Sequence, residues 1–196
     1  HDLADVMLSL QRRGCHNINL VTPTHVVPQI LEALEVAAAG GLKIPLVYNC
    51  GGYESVETLR LLDGVVDIYM PDMKYGDSAI AHDYSGIDHY AEANRAAVKE
   101  MHRQVGDLRI DDEGLAISGL LVRHLVLPHG LAGTGNIVEF LAGEVSSNTY
   151  LNIMAQYHPY NGAEDYPEIA RRISNKEYGE ALDYARERGL TRAANH

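Results

Sequence analysis

Basic residues are scarce in this chain. It carries 16 Lys and Arg against 27 Asp and Glu, a net charge of −11. A surface this acidic repels polyanions, so nucleic acid and anionic membrane are not expected as general partners. Cysteine is scarcer still, with Cys15 and Cys50 alone. Two thiols cannot build a disulfide framework, and a reducing cytoplasm is the expected location. Long apolar runs are missing as well: none approaches the roughly 20 residues a membrane helix needs. No signal peptide is visible. Neither a Pro/Ser-rich linker nor a repeat of about 20–50 residues divides the chain. One domain over 1–196 is expected, with 160–196 as a helical extension.

Several chemical signatures are absent too. There is no G-x-x-x-x-G-K-[ST], no G-x-G-x-x-G behind a strand and no G-x-S-x-G elbow. "GTGN" from Gly133 precedes a helix and reads first as its cap. The cysteines lie too far apart for a zinc ribbon or an iron–sulfur cluster.

What remains is a strong alternation of helix and strand. "HDLADVMLSLQRRG" is an amphipathic helix with Leu3, Val6, Met7 and Leu10 on one face. The chain opens with His1 inside it, so a piece of a longer protein is expected. The closing Ala194-Asn195-His196 is compatible with the start of a purification tag. Apolar strands are expected near 17–22, 43–48, 65–70, 119–127 and 149–155. Helices fall between them, including Val27 to Ala39 closed by Gly40-Gly41 and Tyr90 to Val105. "GNIVEFLAGEVS" reads as one helix. A hairpin turns at Asp112-Glu113-Gly114, and Ser174 with Glu177 forms a capping box for the last helix. The pattern implies an α/β fold with a parallel sheet.

Ligands of such sheets bind at the carboxyl ends of the strands. Those ends are polar here: Thr22-Pro23-Thr24-His25, Asn49-Cys50-Gly51-Gly52, Asp72-Met73-Lys74, Arg123 through Pro128-His129-Gly130, and Gln156-Tyr157-His158. Of ten histidines, only His25, His124, His129 and His158 fall at or near strand ends. Cys50 reads as a packing residue before a nucleophile, His129 as solvent-facing, and His158 equally well as a packed histidine.

The segments "NINLVTPTHVVPQILEAL", "LVYNCGGYESVETLRLLDGVVDIYMPDMKY", "GLLVRHLVLPHGLAGT" and "YLNIMAQYHP" resemble radical S-adenosylmethionine proteins. Among these, the chain is most similar to pyruvate formate-lyase activating enzymes and related glycyl-radical-enzyme activators, from about Leu3 to Pro159. The resemblance implies a parallel-stranded partial TIM barrel of (β/α)6 type, here lacking its first strand. It also implies S-adenosylmethionine and a [4Fe–4S] cluster in the full-length parent. A 5′-deoxyadenosyl radical would then abstract hydrogen, with a glycyl radical enzyme as a candidate partner.

In the family, C-x-x-x-C-x-x-C holds the cluster; no such motif is present, so this chain alone is expected to be inactive. Carried over residue by residue, the cofactor contacts would be Asn49 to the ribose, Gly51 and Gly52 at the turn, and Lys74 to the carboxylate with Asp72 as its partner. Arg123 and Leu125 lie on the next strand, and Met154 and His158 face the adenine and ribose. Where relatives carry G-G-E, this chain has Thr22-Pro23-Thr24-His25. Thr22, Thr24 or His25 would substitute, and the acid is missing.

Two other classes fit the residues without the resemblance. One is a non-catalytic protein-binding module. The other is a barrel hydrolase or aldolase using His25, Lys74 or His129, with Lys74 as a Schiff-base amine. A sheet lacking its first strand exposes an edge, so either a homodimer or the tail after Pro159 is expected to cover it.

Overall fold

The computed structural model describes residues 2–192; His1 and residues 193–196, where the tag reading falls, lie outside them. The chain opens with α1 (Asp2–Arg12), whose Ala4 and Met7 are buried. Five βα-type strands follow in order: β1 (Ile18–Val21), β2 (Leu46–Cys50), β3 (Ile68–Pro71), β5 (Ala116–Leu125) and β6 (Tyr150–Met154). Between them lie α2 (Val27–Ala39), α3 (Val56–Arg60), α4 (Ser78–Ser85), α5 (Tyr90–Val105) and α6 (Thr134–Phe140), and α7 (Asn175–Glu187) closes the chain.

The sheet runs β1-β2-β3-β5-β6, every neighbour parallel. β4 (Arg109–Ile110) is the exception and pairs antiparallel with β5. This is a mostly parallel six-strand α/β sheet, consistent with a partial TIM-barrel-like fold. No helix among the described residues is long and apolar enough to cross a membrane.

Strand alternation sorts the two faces. Tyr48, Cys50, Tyr69, Leu120, Val122, Leu151 and Ile153 point into the main core, with Leu59 of α3, Ala97, Val98 and Met101 of α5, and Ile137 and Val138 of α6. The opposite face has a small plug of Val47, Ile68 and Leu108 near the amino ends of the strands. Above that plug the same face turns polar, at Asn49, Asp72, Arg123 and Asn152.

Local signals act as their chemistry dictates. Pro28 opens α2, where its missing N–H costs nothing. Ile30, Ala33, Leu34 and Ala37 bury one face of that helix. Ser55 and Asp77 cap α3 and α4 by accepting from Thr58 N–H and Ala79 N–H. Asp111 accepts from the N–H of Glu113 and Leu115, which closes the hairpin. The capping box of α7 is complete.

Some expectations shift. β2 and β3 begin about three residues later than the apolar runs suggested. Pro45 has no N–H to give the ladder, and the N–H of Val65 and Val66 is spent on Leu62 at the end of the preceding turn. The helix from Gly135 ends at Phe140 and continues as a wider π-type turn over Leu141–Val145. Among the described residues the tail does not cover the first edge. Tyr178 donates to the carbonyl of Ile153, and Arg192 to those of Asn148 and Leu108, so α7 and its flanks pack at the β6 side. At the β1 edge, Val21 is 66% exposed.

Candidate functional site

Three strand ends converge on the face away from the helices. Asn49 is the penultimate residue of β2, Asp72 follows β3 and Arg123 sits on β5. Asp72 pairs with Arg123 across the ladder, and Arg123 stands opposite Asn152 of β6. Arg123 Nη2 donates to Asn49 Oδ1 at 2.9 Å. It also lies 2.7 Å from Asp72 Oδ1, an ion pair without hydrogen-bond alignment. Lys74 Nζ approaches the other oxygen, Asp72 Oδ2, at 3.8 Å while its side chain stays 53% exposed. Arg123 Nε is buried and has no partner, while the side chain as a whole stays 27% exposed. Leu125 and Met154, opposite each other on β5 and β6, form an apolar wall above this cluster.

Four of the residues singled out in the sequence, Asn49, Asp72, Lys74 and Arg123, thus form one polar network. The expected Asp72–Lys74 pair exists, and Arg123 is the closer partner. Gly51 and Gly52 make the turn beside it. Gly52 has φ of 78°, and a Cβ there would meet the carbonyl oxygen of Asp72 at 2.1 Å. Only glycine fits that approach.

The β1 corner differs. Thr22 has φ of 52°, an uncommon conformation for a β-branched residue. His25 is exposed and makes no side-chain hydrogen bond with a described residue. A buried acid does stand at this corner: Glu54, from the loop after β2, is turned toward the helices and away from the network. Glu54 is 7% exposed. It accepts from Thr24 Oγ1 at 2.7 Å and from Tyr48 Oη at 3.0 Å. Burial, with the Glu54 charge adding to it, pushes the Tyr48 phenol and the Cys50 thiol well above their ordinary values. Both stay protonated, so Cys50 packs and does not attack. Thr24 followed 30 residues later by Glu54 has no local periodicity, which is why the pair was not legible.

His158 is neither packed nor in the cluster. It is exposed, stacked on Tyr160 at 4.7 Å, with Nδ1 near the carbonyl of its neighbour Pro159. His124 is the buried histidine. It faces the helices, with Nδ1 at 2.8 Å from the carbonyl of Met73 and Nε2 at 2.9 Å from Thr134 Oγ1. Burial lowers its pKa to about 4, so it is neutral and ties the Asp72–Lys74 turn to α6. His129 is exposed, and its N–H donates to Glu177. His25, Lys74 and His129 share no hydrogen bond, and Lys74 lacks the desolvation a Schiff-base amine needs. No group of three metal-ligating side chains occurs among the described residues.

No family model matches the chain. An uncharacterized protein of Methanocaldococcus jannaschii, MJ0674, is 33% identical over 177 residues, 89% of this chain and 47% of the relative. The chain thus spans about half the length of the curated relative it matches. Among solved structures, a domain of pyruvate-formate lyase-activating enzyme from Bacteroides vulgatus has a TM-score of 0.59 at 13% identity, over 89% of this chain and 94% of that one. HydG, a maturase of the [FeFe]-hydrogenase, has a TM-score of 0.57 at 13% identity, over 97% of this chain and 42% of that one. At such identity these likenesses show the fold.

Proposed function

We propose that this chain is the cofactor-binding portion of a radical S-adenosylmethionine enzyme, read as one domain. The observation that carries the reading is the Asn49–Arg123–Asp72–Lys74 network at the carboxyl ends of β2, β3 and β5. The residues fit the amino-acid end of S-adenosylmethionine. Lys74 offers an exposed cation for a carboxylate, the guanidinium of the partly exposed Arg123 a second one, and Asp72 an acceptor for an ammonium. Asn49 and Asn152 offer hydrogen bonds to a ribose, and Leu125 with Met154 offers apolar area to an adenine. Thr22, Thr24, His25 and His158 contribute less on this geometry, because no bond joins them to the network. When bound and reduced by a cluster, S-adenosylmethionine supplies a 5′-deoxyadenosyl radical for hydrogen abstraction.

The [4Fe–4S] cluster does not fit this chain. Cys50 is buried on the helix side, and Cys15 lies before β1, at the amino end of the strands and opposite the network's carboxyl rim. No step is assigned to the cluster here. The chain alone is expected to be inactive, and its parent to act on hydrogen-bearing substrates with a glycyl radical enzyme as the candidate partner. A second copy along β1 would pair the open edge, and sedimentation would show the dimer.

The test is calorimetric titration with S-adenosylhomocysteine, which carries the same carboxylate, ammonium and nucleoside. Binding by the native chain, weakened at least about tenfold by Arg123→Met and Lys74→Ala, is the expected result. No binding, or binding indifferent to both substitutions, would overturn the reading.

A further inference from the structure

Near its amino end, helix α5 carries two buried polar side chains that face neither solvent nor the network directly. Asn94 is fully buried and Tyr90 nearly so. Asn94 Nδ2 donates both protons, to the carbonyl of Gly52 at 3.0 Å and to that of Asp72 at 2.9 Å. Tyr90 Oη accepts from the N–H of Lys74 at 2.9 Å, and its own proton lies within reach of the carbonyls of Gly51 and Asp72. Burial raises the Tyr90 phenol, so the proton stays in place. The ring is itself held: Tyr53 stacks on it at 6.1 Å and 7°, and Tyr75 meets it edge-on at 5.6 Å.

The carbonyls of Gly51, Gly52 and Asp72 and the N–H of Lys74 therefore all go to one helix. Asn94 Oδ1 is left buried with no partner. A side chain serving only to fill space would not carry that cost of about 1–3 kcal/mol. The tightness is such that a methyl group on Gly52 would collide with Asn94 Nδ2 and the Asp72 carbonyl together.

We propose that Tyr90 and Asn94 are positioning residues that hold the Asp72–Lys74 turn against Gly51–Gly52 and so set the affinity for the amino-acid end of the ligand. The inference rests on the cofactor reading above, and it adds residues that do not touch the ligand. Neither was singled out in the sequence, because each acts on backbone atoms at 16 to 42 residues' distance.

The test uses two ligands and one ligand-free readout. S-adenosylhomocysteine carries the amino-acid end; 5′-methylthioadenosine lacks it. Tyr90→Phe and Asn94→Asp are expected to weaken the first at least about tenfold and the second by less than about threefold. In Tyr90→Phe the amide of Lys74 is expected to exchange with solvent at least about tenfold faster, by more than the small fall in the unfolding midpoint accounts for. If Asn94→Asp fails to fold, Tyr90→Phe keeps the ring packing and carries the test. Equal loss of both ligands in a folded variant would reduce the two residues to structural support and overturn the proposal, as would unchanged S-adenosylhomocysteine affinity in Tyr90→Phe. If the native chain binds neither ligand, the cofactor reading falls and the ligand half of this proposal with it. The Lys74 amide then still decides the brace: an unprotected amide in the native chain would overturn that half as well.

Discussion

The rim above β3 and β5 and the rim above β1 use similar polar residues, but they are built differently. At β3 and β5 the polar side chains face the open side of the sheet, and the backbone beneath them is braced by Tyr90, Asn94 and His124. At β1 the two hydrogen bonds to Glu54, from Thr24 and Tyr48, are turned toward the helices. Thr22 there keeps a strained backbone, and Val21 is open to solvent. The braced corner holds charged groups in fixed positions before any ligand arrives, which is what a binding site needs. The β1 corner ends in an edge strand whose outer side has no strand partner among the described residues.

Substitutions separate the two corners by size of effect. Gly52→Ala strikes the braced corner hardest, because the new methyl meets backbone and φ is positive. A loss of about 4 kcal/mol is expected by urea denaturation. Asp72→Ala leaves Arg123 half-buried without its carboxylate and is expected to cost about 3 kcal/mol.

His124 gives the same corner a pH signature. Its folded value of about 4 lies below the ordinary 6.5, so between these values the unfolded chain binds a proton that the folded chain refuses. Stability is full above about pH 6.5 and falls as pH drops toward 4, by up to about 3 kcal/mol. His124→Gln should flatten that part of the stability profile.

At the β1 corner Tyr48→Phe leaves Glu54 with Thr24 alone, and about 1 kcal/mol is expected. Thr22→Gly should move the other way, gaining about 0.5 kcal/mol as strain is relieved. A Thr22→Gly loss as large as that of Gly52→Ala would erase the distinction between the corners.

The sheet was legible because its signals are periodic and local. Apolar runs such as Leu46–Val47–Tyr48 and Leu120–Leu121–Val122 mark strands, and Gly40, Asp77 and Ser174 mark helix ends. Asn49, Asp72, Lys74 and Arg123 were legible because position at a strand end implies position on the rim. The bracing residues were not. Asn94 sits mid-helix among Ala91, Ala97 and Val98, where a sequence shows only another polar residue, and its partners are carbonyls with no residue identity. His158 misled for the opposite reason: it lies four residues beyond β6, where strand geometry no longer dictates direction. Which sheet edge the tail packs against was not legible, because nothing in its composition tells one edge from the other.

The most direct measurement is a backbone amide shift map of the chain titrated with S-adenosylhomocysteine. Saturable shifts concentrated at Asn49, Gly51, Gly52, Asp72, Lys74, Arg123 and Asn152 are predicted, with α1 and α2 unmoved. Shifts confined elsewhere, or none at saturating ligand, would contradict the assignment of this rim as a nucleoside and amino-acid site.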